Sequence, residues 1–249
     1  MEDITQDRLD EEIRQRVTAV RGEIAAAAER AGRPVSSIRL VAVTKTHPAP
    51  VLAAAVRAGV TDIGENYLQE AAEKFAALGW PEALSGTPPV TRHYIGHLQS
   101  NKIRAALRWF EIIETVDSLA LATRLDRLAG ELGRVAPVLL EINISEELTK
   151  SGFFSAQLEG VFASLANMRH IRLIGLMTIG RMTPDPEAAR ADFRALRLLR
   201  DRLQRQTPDG VALTELSMGM SHDFPIAIEE GATIIRVGSR LFGPRPTRQ

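Results

Sequence analysis

The chain has 249 residues, with Lys+Arg and Asp+Glu both at 31 and no cysteine. Balanced charge gives no field to gather nucleic acid or an anionic membrane, and the missing thiols exclude disulfides, thiolate catalysis and cysteine-ligated metals. An acidic, polar amino terminus without a signal sequence, and no run of about 18 apolar residues, point to a soluble cytoplasmic protein without a membrane partner.

Residues 4–31 carry apolar side chains at Leu9, Ile13, Val17, Val20, Ile24 and Ala28. Spacings of three and four predict an amphipathic helix, stopped by Gly32 and Pro34. Strand-like and helix-like runs then alternate. Strands are predicted over 39–45, 61–66, 92–96, 110–116, 136–144, 171–179, 212–218 and 233–238. Helices are predicted between them, over 49–58, 67–78, 101–108, 118–132, 155–167, 186–206 and 222–230. Val138-Leu139-Leu140-Glu141-Ile142 and Ile171-Arg172-Leu173-Ile174-Gly175-Leu176-Met177 are nearly continuous apolar runs, as parallel strands buried on both faces require. Eight such strands predict an α/β protein, a (β/α)8 TIM barrel with an extra N-terminal helix, as one domain over 1–249. An open doubly wound sheet is the alternative. Gly79 to Val90 and Arg181 to Pro186 read as surface loops.

Chemistry in a barrel gathers at the carboxyl ends of its strands. Lys45 closes the first predicted strand and shares a face with Val41 and Val43. Facing inward, its amine stands at the barrel mouth, where desolvation makes it nucleophilic; facing outward, it snorkels to solvent. Arg236 interrupts the apolar run Thr233-Ile234-Ile235-Arg236-Val237. It needs an acceptor, either a structural partner such as Glu215 or Glu141, or a ligand. Gly238-Ser239 and the segment Ser217 to Ser221 follow the last two strands, where barrels often bind phosphate, although both are also turns that any barrel needs.

His93 and His97 read as structural histidines, and no metal-ligand spacing exists, so no metal is expected. Asn101-Lys102-Ile103-Arg104 reads as the start of a helix with solvated basic residues, and Met218 and Met220 read as packing. Glycine-rich dinucleotide and Walker motifs are absent. A lysine, two phosphate-ready turns and an arginine together fit a Schiff base to a phosphorylated aldehyde, pyridoxal phosphate (PLP) above all. A lysine Schiff-base aldolase would use two of the three.

The chain resembles the pyridoxal-phosphate homeostasis proteins, the PROSC or PLP-binding protein family, and with them the N-terminal barrel of alanine racemase. The resemblance is carried by Val41-Ala42-Val43-Thr44-Lys45-Thr46, Gly64-Glu65-Asn66-Tyr67-Leu68-Gln69-Glu70 and His93-Tyr94-Ile95-Gly96-His97-Leu98-Gln99-Ser100-Asn101-Lys102. It continues through Asn143-Ile144-Ser145, Lys150-Ser151-Gly152, Gly175-Leu176-Met177-Thr178 and Leu216-Ser217-Met218-Gly219-Met220-Ser221. Arg236-Val237-Gly238-Ser239-Arg240-Leu241-Phe242-Gly243 completes it.

The resemblance implies that Lys45 holds PLP covalently as an internal aldimine. It implies that Arg236 faces the pyridine nitrogen, that Gly238 and Ser239 bind phosphate with Ser217 nearby, and that Asn66 lines the ring side. Family members commonly carry threonine where this chain has Ser239, and both supply a hydroxyl. His97 stands where some members have proline. Lys150 is a second lysine expected near the mouth.

An arginine at the ring nitrogen favours the unprotonated pyridine, a weaker electron sink than pyridinium. The chain ends at Gln249, soon after the eighth strand, where the racemases continue into a second domain that completes their site. The expectation is therefore a monomeric carrier or buffer of PLP, with apo PLP-enzymes as recipients and no catalytic residue assigned. A PLP-dependent amino-acid racemase is the alternative.

Overall fold

The computed structural model describes residues 2–80, 89–147, 149–181 and 185–244. Helix α1 (Glu2–Arg30) buries Ile13, Val17, Val20, Ile24, Ala27 and Ala28 along one stripe, so the predicted amphipathic face is the packed one. Eight short strands follow: β1 (Arg39–Val43), β2 (Asp62–Glu65), β3 (Thr91–Tyr94), β4 (Ile112–Val116), β5 (Ala136–Glu141), β6 (Ile171–Met177), β7 (Glu215–Met220) and β8 (Ile234–Val237). Each pairs in parallel with the next, and β8 pairs with β1 to close the barrel. This excludes the open sheet.

The outer layer consists of α2 (Ala49–Arg57), α3 (Leu68–Ala77), α4 (Ile103–Trp109), α5 (Leu119–Glu131), α6 (Ser155–Ala166), α7 (Arg190–Gln204), α8 (Phe224–Glu229) and a short α9 (Ser239–Phe242). Helix α1 lies against α2, α8 and α9, over the side of the barrel where β8 meets β1. Phe75, Phe110, Phe162, Phe193 and Phe224 are fully buried in the main hydrophobic cluster of helices and strands. A second cluster, Val41, Ile112, Leu139, Met177 and Ile234, fills the inside of the barrel. Among the described residues no helix is long and apolar enough to cross a membrane.

Local chemistry moves several boundaries. The first strand stops at Val43, two residues short of Lys45. The predicted strand 212–218 runs instead over Glu215–Met220. The helix predicted from 186 opens with a 3-10 turn, Pro186–Ala189, where proline fixes φ and the Asp185 carboxylate accepts from the Glu187 N–H at 3.0 Å. Another 3-10 turn, Ser100–Lys102, precedes α4. Residues 81–88 and 182–184 of the two expected surface loops lie outside the described residues.

Candidate functional site

Lys45 stands in a tight turn after β1. Thr46 has φ of +68°, a left-handed conformation that costs a β-branched residue about 1–3 kcal/mol. The surroundings impose it. The Thr46 N–H donates to Glu70 Oε1 at 2.5 Å, Lys74 Nζ donates to the Thr44 carbonyl at 2.8 Å, and the Thr44 hydroxyl donates to Glu65 Oε1 at 2.6 Å. Lys74 also pairs with Glu65, and with Glu70 at 3.0 Å. Glu65 and Lys74 are buried, and burial pushes the Glu65 carboxyl up against the pull of Lys74. The backbone on both sides of Lys45 is thus fastened to α3. Sequence reasoning missed this clamp. Its signal was Lys74 beside Phe75 and three residues after Ala71, a cation on the apolar face of a helix.

A cavity of about 360 Å³ opens at this end of the barrel, a volume usual for a small ligand. Lys45, Asn66, Arg236, Gly238 and Ser239 all line it, with Val43, Ile95 and Met220 as apolar wall. Pairing of β1 with β8 sets Ala42 beside Val237, which carries the Lys45 turn alongside Gly238-Ser239. A Cβ on Gly238 would lie 3.3 Å from the Val43 carbonyl oxygen. Asn66 Oδ1 is buried without a hydrogen-bond partner among the described residues. A larger cavity, about 610 Å³, opens at the opposite end, around Arg39, Asp62 and Glu215. Conversion chemistry in barrels belongs to the Lys45 end.

Two expectations require correction. Ser217 is wholly buried, and its hydroxyl is taken up by protein: it donates to Glu114 Oε2 at 2.5 Å and accepts from Arg236 Nη1 at 2.6 Å. Ser221 is the cavity-lining serine of that segment, and its hydroxyl accepts from the Gly238 N–H at 3.1 Å. Arg236 bonds neither to Glu215 nor to Glu141 but to Ser217 and, through Nη2, to the Thr178 carbonyl at 2.8 Å. Glu215 lies at the opposite end of the barrel, where it accepts from the Thr233 hydroxyl at 2.6 Å and sits 3.5 Å from Arg39. Burial pulls the Arg236 guanidinium below its ordinary value, opposed by Glu114, Asp223 and Glu141. It remains a cation.

His93 lies fully buried inside the barrel, Nδ1 at 2.6 Å from Glu114 Oε1 and Nε2 at 3.1 Å from Asp62 Oδ1. Burial disfavours its charged form, but bonds to the two carboxylates outweigh that and raise it to about 9. Burial likewise pushes Glu114 up, and His93, Arg236 and Ser217 together hold it below the usual carboxylate range. Glu141 is pushed up to about 7 by burial and by the charge of Asp117. Because folded His93 binds its proton more tightly than the unfolded chain does, its contribution is complete below about pH 6.5 and lost as pH rises through 9. From His93, stability should fall by about 3 kcal/mol over that interval, read by denaturant unfolding at each end. His93→Gln should remove most of the decline, leaving the smaller part that the raised Glu141 contributes near pH 7.

The other candidates lie further out. Lys150 pairs with Glu147 at 2.7 Å and donates to the Ser145 hydroxyl at 3.3 Å. His97 is exposed and sits 3.3 Å from Asp117. Met218 is core as expected, while Met220 is cavity wall.

The chain is similar in sequence and fold to known proteins. Residues 16–246 match the family model described as alanine racemase, N-terminal domain. A protein of Aquifex aeolicus named Pyridoxal phosphate homeostasis protein is 39% identical over 231 residues, 93% of this chain and 97% of its own length. The protein of the same name from Escherichia coli K12 is 39% identical over 238 residues, covering 94% and 97%. The solved structure of PipY from Synechococcus elongatus with PLP bound is 40% identical with a TM-score of 0.79, over 93% of this chain and all of that one. Clostridium difficile alanine racemase, at 17% identity and a TM-score of 0.71, shares the fold over 60% of its own length. Identity at this level over nearly the whole of both partners shows that the chain belongs to the pyridoxal phosphate homeostasis protein family.

Proposed function

We propose that this chain binds PLP in the Lys45 cavity, holds it covalently, and serves PLP homeostasis in the cytoplasm as a monomeric carrier. The observation that carries the reading is the meeting of Lys45, Arg236, Asn66, Gly238 and Ser239 around one cavity in a chain 40% identical to PLP-bound PipY.

The residues suit the group. Lys45 would hold the group through its amine, and the aldehyde of PLP would supply a carbonyl able to bond that amine reversibly. Ser239 and Ser221 offer hydroxyls to a phosphate, and the unpartnered Asn66 Oδ1 offers an acceptor to the ring side. Arg236 can donate and cannot accept, so a pyridine nitrogen held against it would stay unprotonated. PLP supplies an electron sink when bound, and a neutral ring weakens that sink. This favours holding the cofactor over transforming an amino acid.

The test loads the protein with PLP and mixes it with an apo PLP-enzyme in the presence of a trap for free aldehyde. A carrier restores the recipient's activity despite the trap. Complete suppression by the trap, or fast racemisation of alanine by the loaded protein itself, contradicts the reading.

A further inference from the structure

The interior of this barrel is unusual in its polarity. Beneath the cavity a chain of buried side chains crosses from strand to strand: Asp62 on β2, His93 on β3, Glu114 on β4, Ser217 on β7 and Arg236 on β8. His93 and Glu114 are fully buried, and Asp62 and Arg236 are 5% exposed. Asp62 lines the cavity at one end of the barrel and Arg236 the cavity at the other. A barrel interior needs only branched apolar side chains to be filled. Burying four charged groups there is costly unless each is paired and hydrogen-bonded.

We infer that His93 is a positioning residue for the ligand site, acting through Glu114 and Ser217 to hold Arg236 aimed into the cavity. The inference rests on the cofactor reading above and names a part of that site which never touches the ligand.

The direction of each bond follows from what each group can do. Arginine only donates and an ionised carboxylate only accepts. Ser217 has one proton. With Glu114 ionised, that proton goes to Glu114, and the hydroxyl lone pair faces Arg236 Nη1. A protonated Glu114 could instead donate to Ser217, turning the hydroxyl proton toward the guanidinium. In that orientation Arg236 would keep only the Thr178 carbonyl, and in any other the hydroxyl proton would lose its carboxylate acceptor. A cationic His93, donating from Nδ1, keeps Glu114 ionised, and Asp62 secures the second imidazole N–H. Hydrogen bonds in such a sequence polarise one another in a low dielectric, so the chain acts as a unit.

Other charges face the chain from every side. Arg39 lies 3.7 Å from Asp62 and 3.5 Å from Glu215 at the lower end. Glu141, Asp223 and Asp117 act at the upper end, the first two on Arg236 and the last on Glu141. Glu141 titrates near 7, well apart from His93, so a pH profile separates the two.

The experiment compares wild type, Ser217→Ala, His93→Gln and the double variant, each loaded with PLP. The readouts are cofactor release and the pH profile of the bound cofactor's absorbance. Loss of one hydrogen bond to a charged group should speed release about tenfold in each single variant and move the absorbance profile. The double variant should lose no more than either single one, because both break the same chain. Ser217→Thr keeps the hydroxyl and should behave as wild type. A second measurement needs no substitution: imidazole ¹⁵N resonances of the cofactor-free protein should show His93 doubly protonated at pH 7.5. A neutral His93 at that pH, variants with unchanged profiles, or additive losses in the double variant overturn the inference. Failure of wild type to take up PLP overturns the cofactor reading itself, whereas uptake by wild type with unchanged variants overturns only the role of the chain.

Discussion

Lys45→Ala is expected to abolish the aldimine absorbance of PLP-loaded protein while leaving the fold intact. The first half follows from chemistry: without the amine no C=N bond joins cofactor and chain, and only noncovalent contacts remain. The second half follows from position. Lys45 lies in a turn after β1, partly exposed, and the bonds that shape the turn belong to Thr44 and Thr46. A substitution at this partly exposed position leaves the bonds of Thr44 and Thr46 in place and should cost about 1 kcal/mol or less. Absorbance spectra and a denaturant melt of the same samples check both halves. An aldimine band retained in Lys45→Ala, with Lys150 intact, would move the assignment to another amine.

Gly96→Ala should produce the largest loss of stability among simple substitutions near the site. An added Cβ would stand 2.1 Å from the Asn66 carbonyl oxygen and 2.8 Å from its Cα, both backbone-held atoms that no rotamer change can move. On its other side, the Gly96 carbonyl accepts from the buried Thr115 hydroxyl at 2.6 Å, so the strand end cannot retreat without breaking that bond. The expected cost is about 3 kcal/mol or more. Asn66 must shift as well, so PLP retention should fall in parallel. Urea unfolding and cofactor titration of the variant test the two effects together. A variant with wild-type midpoint and wild-type retention would show that the turn after β2 has slack that its contacts deny.

Much of this was written in local sequence. The two-residue alternation put Lys45 on one face with Val41 and Val43 but left open whether that face turns inward; the structure sets Val43 and Lys45 in the cavity wall, even though regular strand ends at Val43. Local pattern survives there because Thr44 N–H still bonds to the Gly64 carbonyl at 3.2 Å, extending the ladder by one residue. Arg236 was visible as a charge inside an apolar strand, and Gly238 and Ser239 as a turn where barrels bind anions. The partners of Arg236 were not visible. Ser217 and Glu114 are 103 residues apart and meet only because a closed barrel brings β4 and β7 toward one axis. His93 looked like an ordinary structural histidine, since nothing local to it shows that Asp62 and Glu114 converge on its two nitrogens. The clamp on the Lys45 turn was hidden for a similar reason. Glu65, Glu70 and Lys74 look like common surface charges until α3 packs against the turn. The proposed site is thus spelled by residues at strand ends, while the orientation of those residues is set by tertiary closure.

The central claim is that the amine of Lys45 holds PLP. Borohydride reduction of the loaded protein, followed by proteolysis and mass mapping, fixes the adduct to one residue. The account predicts a single phosphopyridoxyl group on Lys45; an adduct on Lys74, Lys102 or Lys150 in its place, or none at all, would contradict it.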